Sequence, residues 1–178
     1  MAFSTISRDP KANVRTRRAL DQLKALLNVA CVTLDSSVTQ TGNTAATETT
    51  LFSITLPANE LSNEDSIAFE AAGTFAATAA TDKRIKVKFG TTTIYDSGAL
   101  AIITAETWVL RGTITRSGSA SQKCDVLVAT SSATLVAKGT YATAAESLSS
   151  SVTLTVTGYG TNASDVVGER FKVIHQPG

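Results

Sequence analysis

The chain has 178 residues, enough for one ordinary domain and a short appendage, and no apolar run approaches the ~20 residues that a membrane-crossing helix needs. Asp, Glu, Lys and Arg make up only 17% of it, below the usual quarter, and Ala, Thr and Ser fill the space, a surface better suited to lying against other subunits than to solvating a free enzyme. A net charge of +1 and a single histidine argue against a nucleic-acid-coating protein and against any zinc site built on imidazoles.

Residues 2–9 read as an extended arm. Asp9 before Pro10 is a good helix start, because Asp accepts free first-turn amide hydrogens and Pro suits the first helical position. From residue 10 to about 27 there is no Gly and no β-branched run, and Leu20, Leu23 and Leu27 recur at three and four residues. That predicts a helix about 27 Å long with one apolar stripe, stopping at Asn28. Arg8, Lys11, Arg15, Arg17, Arg18 and Lys24 face only Asp9 and Asp21 in this segment, so the charge excess sits here and the rest of the chain is slightly acidic.

Two readings of the stripe stay open. Leu20, Leu23 and Leu27 pack against the chain's own β domain, or they meet symmetry mates or a neighbouring subunit while Arg8, Lys11, Arg15, Arg17 and Arg18 bind an acidic partner surface. No aromatic residue interleaves the basic ones, so nucleic acid is not expected as the partner. The run from Ala25 to Cys31 has a partial likeness to a lipoprotein cleavage site, but Asn28 stands where Leu is wanted and Asp21 and Lys24 interrupt the hydrophobic core such a signal requires.

Residues 29–50 read as linker and first strand: Ala30 to Leu34 is strand-like, and Val38 to Ala46, with Gly42-Asn43, reads as a loop. The clearest strand signals follow in residues 48–90. Phe52, Ile54 and Leu56 share a face up to Pro57, and Ile67, Phe69 and Ala71 alternate with polar or small neighbours before a bend at Gly73. Ile85, Val87 and Phe89 alternate with Arg84, Lys86 and Lys88. Thr91 to Tyr95 is a short edge-like strand and Asp96-Ser97-Gly98 a turn; then Trp108, Leu110, Gly112 and Ile114 share one face, with Trp108 pointing to the core. Cys124, Val126 and Val128 turn inward after the loop at residues 117–121, residues 134–137 suggest a short strand ended by a break at Lys138-Gly139, and Val152, Leu154 and Val156 alternate with threonines. A last strand carries Phe171 and Val173. Roughly eight to ten short strands, with turns about every ten residues and no intervening helical pattern, predict an all-β antiparallel sandwich over residues 51–178, with the arm and one α-helix ahead of it in residues 1–28.

The segment LPANELSNEDSIAFEAAGTFAATAATDKRIKVKFG, the Tyr95-Asp96-Ser97-Gly98 turn and the following TWVLRGTITRSG together resemble a β-jelly-roll domain recurrent in tailed-phage structural proteins. The resemblance extends from Leu51 to about Gly118. It implies a jelly roll and a homotrimeric virion component such as a head fibre, a capsid decoration (cement) knob or a tail-fibre domain. It carries no catalytic residues.

Chemistry of other kinds has little to stand on. A Ser-His-Asp or Cys-His site would need His175, four residues from the end of the chain and expected at the surface or an interface. No phosphate or dinucleotide loop occurs, Cys31 and Cys124 lack ligand spacing and read as two buried free thiols, with a single disulfide between them as the alternative, and Glu60, Glu64 and Asp65 are expected in a solvated turn. No cofactor, metal or catalytic site is therefore expected. Tyr95, Tyr141 and Tyr159 fall near strand ends or loops, where they could stack on a glycan or merely anchor loops. The expectation is a non-enzymatic structural protein on the capsid exterior, made in the host cytoplasm and docked on the major capsid protein through its N-terminal segment. The alternative is a tail-fibre or baseplate adhesin for a host glycan.

Overall fold

The computed structural model describes residues 31–78, 82–131 and 138–178. The expected arm and helix lie outside the described residues, and with them Arg8, Lys11, Arg15, Arg17, Arg18, Leu20, Leu23 and Leu27; so does the strand expected at residues 134–137.

The described chain is all-β. Its strands are Val32–Ser37 (β1), Thr41–Gly42 (β2), Thr49–Leu56 (β3), Ser66–Phe75 (β4), Arg84–Phe89 (β5), Thr92–Asp96 (β6), Glu106–Gly118 (β7), Ser121–Thr130 (β8), Lys138–Ala144 (β9), Val152–Tyr159 (β10) and Val166–Gln176 (β11). All of their pairings are antiparallel. The larger sheet runs β1-β11-β4-β7-β8-β9, with β2 also on β11, and the smaller runs β3-β10-β5-β6. The two pack as a sandwich, the only way each can bury its apolar face.

Period-two patterning explains which side chains fill the interior. Ile67, Phe69, Ala71 and Phe75 of β4, Trp108, Leu110 and Ile114 of β7, and Ile85, Val87 and Phe89 of β5 are all buried. Phe52 stacks on Phe171 across the two sheets, with centroids 5.2 Å apart and planes 7° from parallel. Trp108 lies 6.4 Å from Phe75 and donates its indole N–H to the Thr74 carbonyl at 3.3 Å. Side chains of this size, taken wholly out of water, contribute on the order of 2–3 kcal/mol each.

Several local expectations change. β4 continues through Gly73, where β11 carries a register shift; a Cβ there would meet the Trp108 ring at 2.7 Å as well as the Val167 carbonyl, so glycine is needed for close packing. Lys138-Gly139 does not break the chain but opens β9, which supplies the hydrogen bonds that β8 needs on its open side. The segment read as linker and first strand supplies β1 and β2 of the larger sheet. Bulges also override simple alternation. Leu51 is an extra residue between Phe52, opposite Val156, and Thr50, opposite Thr157, and Ile94 is extra between Tyr95 and Thr93. In each case two consecutive residues, Leu51 with Phe52 and Ile94 with Tyr95, are buried.

Candidate assembly surface

The interior holds charged and polar groups, and Lys83, Asn43, Asp165 and Asp65 are occupied in holding the chain together. Lys83 is fully buried, and its Nζ donates to the carbonyls of Ala76 at 2.6 Å, Thr78 at 3.3 Å and Ile102. Burial pulls this amine below the ordinary lysine range, while Asp165, Glu106 and Asp82 push it back up. One ammonium thus ties the loop after β4 to the loop before β7 at one end of the sandwich. The sequence does carry a signal for it: Lys83 is in phase with Ile85, Val87 and Phe89, not with Arg84, Lys86 and Lys88.

Asn43 and Asp165, both buried, fasten neighbouring loops at that end. The Asn43 amide donates to the carbonyls of Gly160 at 3.2 Å and Asn162 at 3.0 Å. Asp165 accepts from the Thr78 hydroxyl and from the Asn162 N–H at 2.7 Å. Burial raises its pKa, but these donors and Lys83 outweigh that and hold the carboxyl below its ordinary value.

Asp65 corrects the expectation of a wholly solvated acidic turn. Glu64 is exposed, but Asp65 is buried, accepting from the Ser62 N–H at 2.8 Å, the Gly178 N–H at 2.9 Å and Nε2 of His175 at 3.2 Å. Burial raises its pKa, and these donors together bring it below the usual aspartate value. His175, with 14% of its side chain exposed, is thus a loop tether. No group of three or more metal-ligating side chains occurs among the described residues.

The glycan-contact tyrosines do not converge. Tyr95 is a correction: the bulge at Ile94 turns its ring into the core, with 2% exposure, and burial together with Asp96 pushes its pKa up to about 12. Tyr159 ends β10 of the smaller sheet and is half-buried, while Tyr141 stands 71% exposed on β9 of the larger one. The cysteines divide too, for Cys124 is buried as expected and Cys31 is exposed.

What remains open to a partner is the outer face of the larger sheet. One ladder across it reads Ile174, Ala68, Thr113, Asp125, Tyr141; the next reads Lys172, Glu70, Arg111, Leu127. Glu70 is held between Arg111, at 3.0 Å, and Arg170. Between the ladders runs a groove of about 480 Å³, and beside it an apolar hollow of about 270 Å³ lined by Val109, Arg111, Leu127 and Ala129. Leu127, 48% exposed, borders both. The inward alternation of Cys124, Val126 and Val128 forces it outward, since one strand has only two faces. The smaller sheet differs: there Glu48 gathers Lys86, Lys88 and the Thr157 hydroxyl, and although burial raises its pKa, the two ammonium groups bring it down to about 2.

No protein-family model, no curated protein and no solved structure matches this chain.

Proposed function

We propose that the chain is a non-enzymatic structural protein of a tailed-phage particle, a homotrimeric capsid decoration or head-fibre protein whose basic N-terminal segment docks on the shell and whose sandwich is a jelly roll. The observation that carries this reading is the strand order. The chain changes sheet after β2, β3, β4, β6, β9 and β10, and the resulting orders β1-β11-β4-β7 and β3-β10-β5-β6 are the pairing expected of two interleaved Greek keys, with β8 and β9 added as a hairpin beyond β7. The motif segment that resembles phage jelly rolls supplies β4 to β7, the centre of that order.

Two features add support. Lys83, Asp165, Asp65 and His175, the groups best placed for chemistry by burial, are spent on backbone and loop tethers. The outer face of the larger sheet sets apolar and small side chains, among them Ile174, Ala68, Val109, Leu127 and Ala129, beside charges that are partly paired on the face itself, as befits a body placed among other subunits. Its work would be to stabilise the assembled shell by binding that state alone.

The test is to locate the chain on intact particles and to rebind it to stripped ones. Hundreds of copies per particle, with rebinding lost on deletion of residues 1–28, is the expected result. A few copies at the tail would transfer the role to an adhesin, and full rebinding by the truncated chain would place the anchor elsewhere.

A further inference from the structure

We propose that the outer face of the larger sheet, a groove between β11 and β8 with Leu127 on one rim, is a self-association surface whose occupant is a second copy of this chain. The inference goes beyond the role proposed above and rests on it only in treating the chain as an assembled body: a two-fold contact through this face is distinct from the contacts that close a trimer and joins one chain, or one trimer, to another.

Charge is the first argument. At the centre of the face Glu70 is neutralised by Arg111 and Arg170. Two charged side chains on the rims of the groove have no ionic partner among the described residues, Lys172 on β11 and Asp125 on β8. Three strand spacings separate them, about 14 Å. A face with a cation on one rim, an anion on the other and an apolar floor is complementary to itself, because rotating a copy sets Lys172 of one against Asp125 of the other. Lys123 lies beyond the groove and donates to the Thr143 hydroxyl at 3.4 Å.

Area is the second. Six strands about 4.8 Å apart, with about ten residues in the central ones, present a face of roughly 800 Å². That is what each partner of a standard stable interface contributes. Leu127 supplies exposed apolar area beside the hollow, and Arg111 and the 71% exposed Tyr141 are of the residue types that anchor such contacts.

The edges are the third. Of the four strands that end the sheets, β1, β3 and β6 each lie at a register shift that twists or interrupts the edge, whereas β9 runs in unbroken register against β8 from Lys138 to Ala144. An unguarded edge is tolerated where a neighbour covers it.

The test is sedimentation velocity on the full chain up to about 200 μM, a range that reads micromolar dissociation constants. The wild type should self-associate, and Leu127→Arg should weaken association by at least about tenfold while leaving the far-ultraviolet circular dichroism unchanged. Asp125→Lys and Lys172→Asp should each weaken it about tenfold, because each sets like charges against one another, and the double exchange should restore most of the loss. A wild type that stays single throughout, or a double exchange no better than either single one, overturns the proposal. An oligomer indifferent to all of these changes overturns this face and leaves the structural role standing; a chain that self-associates as described but is absent from particles does the reverse.

Discussion

Asn43 and Val166 form a two-way clasp: the Asn43 N–H donates to the Val166 carbonyl at 3.0 Å, and the Val166 N–H donates to Oδ1 of Asn43 at 2.8 Å. With its amide also reaching Gly160 and Asn162, this one side chain closes the end of the sandwich between β2 and the β10–β11 loop. Asn43→Ala leaves those backbone groups unpaired in a buried site and should cost about 2–3 kcal/mol in urea unfolding. Asn43→Asp keeps the acceptor and loses the donors, and should cost at least as much. A loss under about 0.5 kcal/mol for Asn43→Ala would mean that water takes over the clasp.

Lys83 is the second interior fastener. Lys83→Met keeps the stem and removes the ammonium, stranding three carbonyls and removing the counter-charge to Asp165, Glu106 and Asp82. The expected cost is about 3 kcal/mol or more. Because the three carbonyls belong to loops, amide exchange at Thr78 and Ile102 should rise more than exchange in β4 or β7.

Glu48 sets an acid limit on stability. Its carboxyl is depressed to about 2 in the folded chain and returns to about 4.5 when unfolded, so its contribution is complete above pH 4.5 and is lost as the pH falls towards 2. The lost term is on the order of 2 kcal/mol, since the group is partly solvated. Glu48→Gln should remove that pH dependence between about 4.5 and 2 and lower stability at neutral pH; equal acid profiles for variant and wild type would refute the assignment.

Thiol chemistry separates the cysteines. Cys124 is buried and its thiol is pushed up to about 11 by that burial, so it should resist a thiol reagent at pH 8 until the chain unfolds. Cys31 is exposed and should react at once. One fast thiol per native chain and two per denatured chain is the expected count.

Alternation and turn residues were enough to read an all-β sandwich over the described residues, the inward placing of Trp108, Ile85, Val87, Phe89 and Cys124, and the turn at Asp96-Ser97-Gly98, where Gly98 takes a φ of 65° and donates to Asp96. These are local properties: the period of side chains along a strand is written in neighbouring residues and needs no partner. Lys83 could have been read the same way, by extending the phase of Ile85 one step back.

Tertiary structure alone decided the rest. The bulges that bury Tyr95 and Leu51 depend on a register shared with another strand, and the use of Gly73 depends on Trp108, which lies more than thirty residues further on. Asp65, His175 and Asn43 looked like solvated or loop residues because the Asp65–His175 contact and the Asn43–Val166 clasp each join residues more than a hundred apart in the chain. The outward groove bordered by Leu127 belongs to this class as well: each strand contributes one or two unremarkable residues, and only pairing β4, β7, β8 and β11 side by side turns them into a surface.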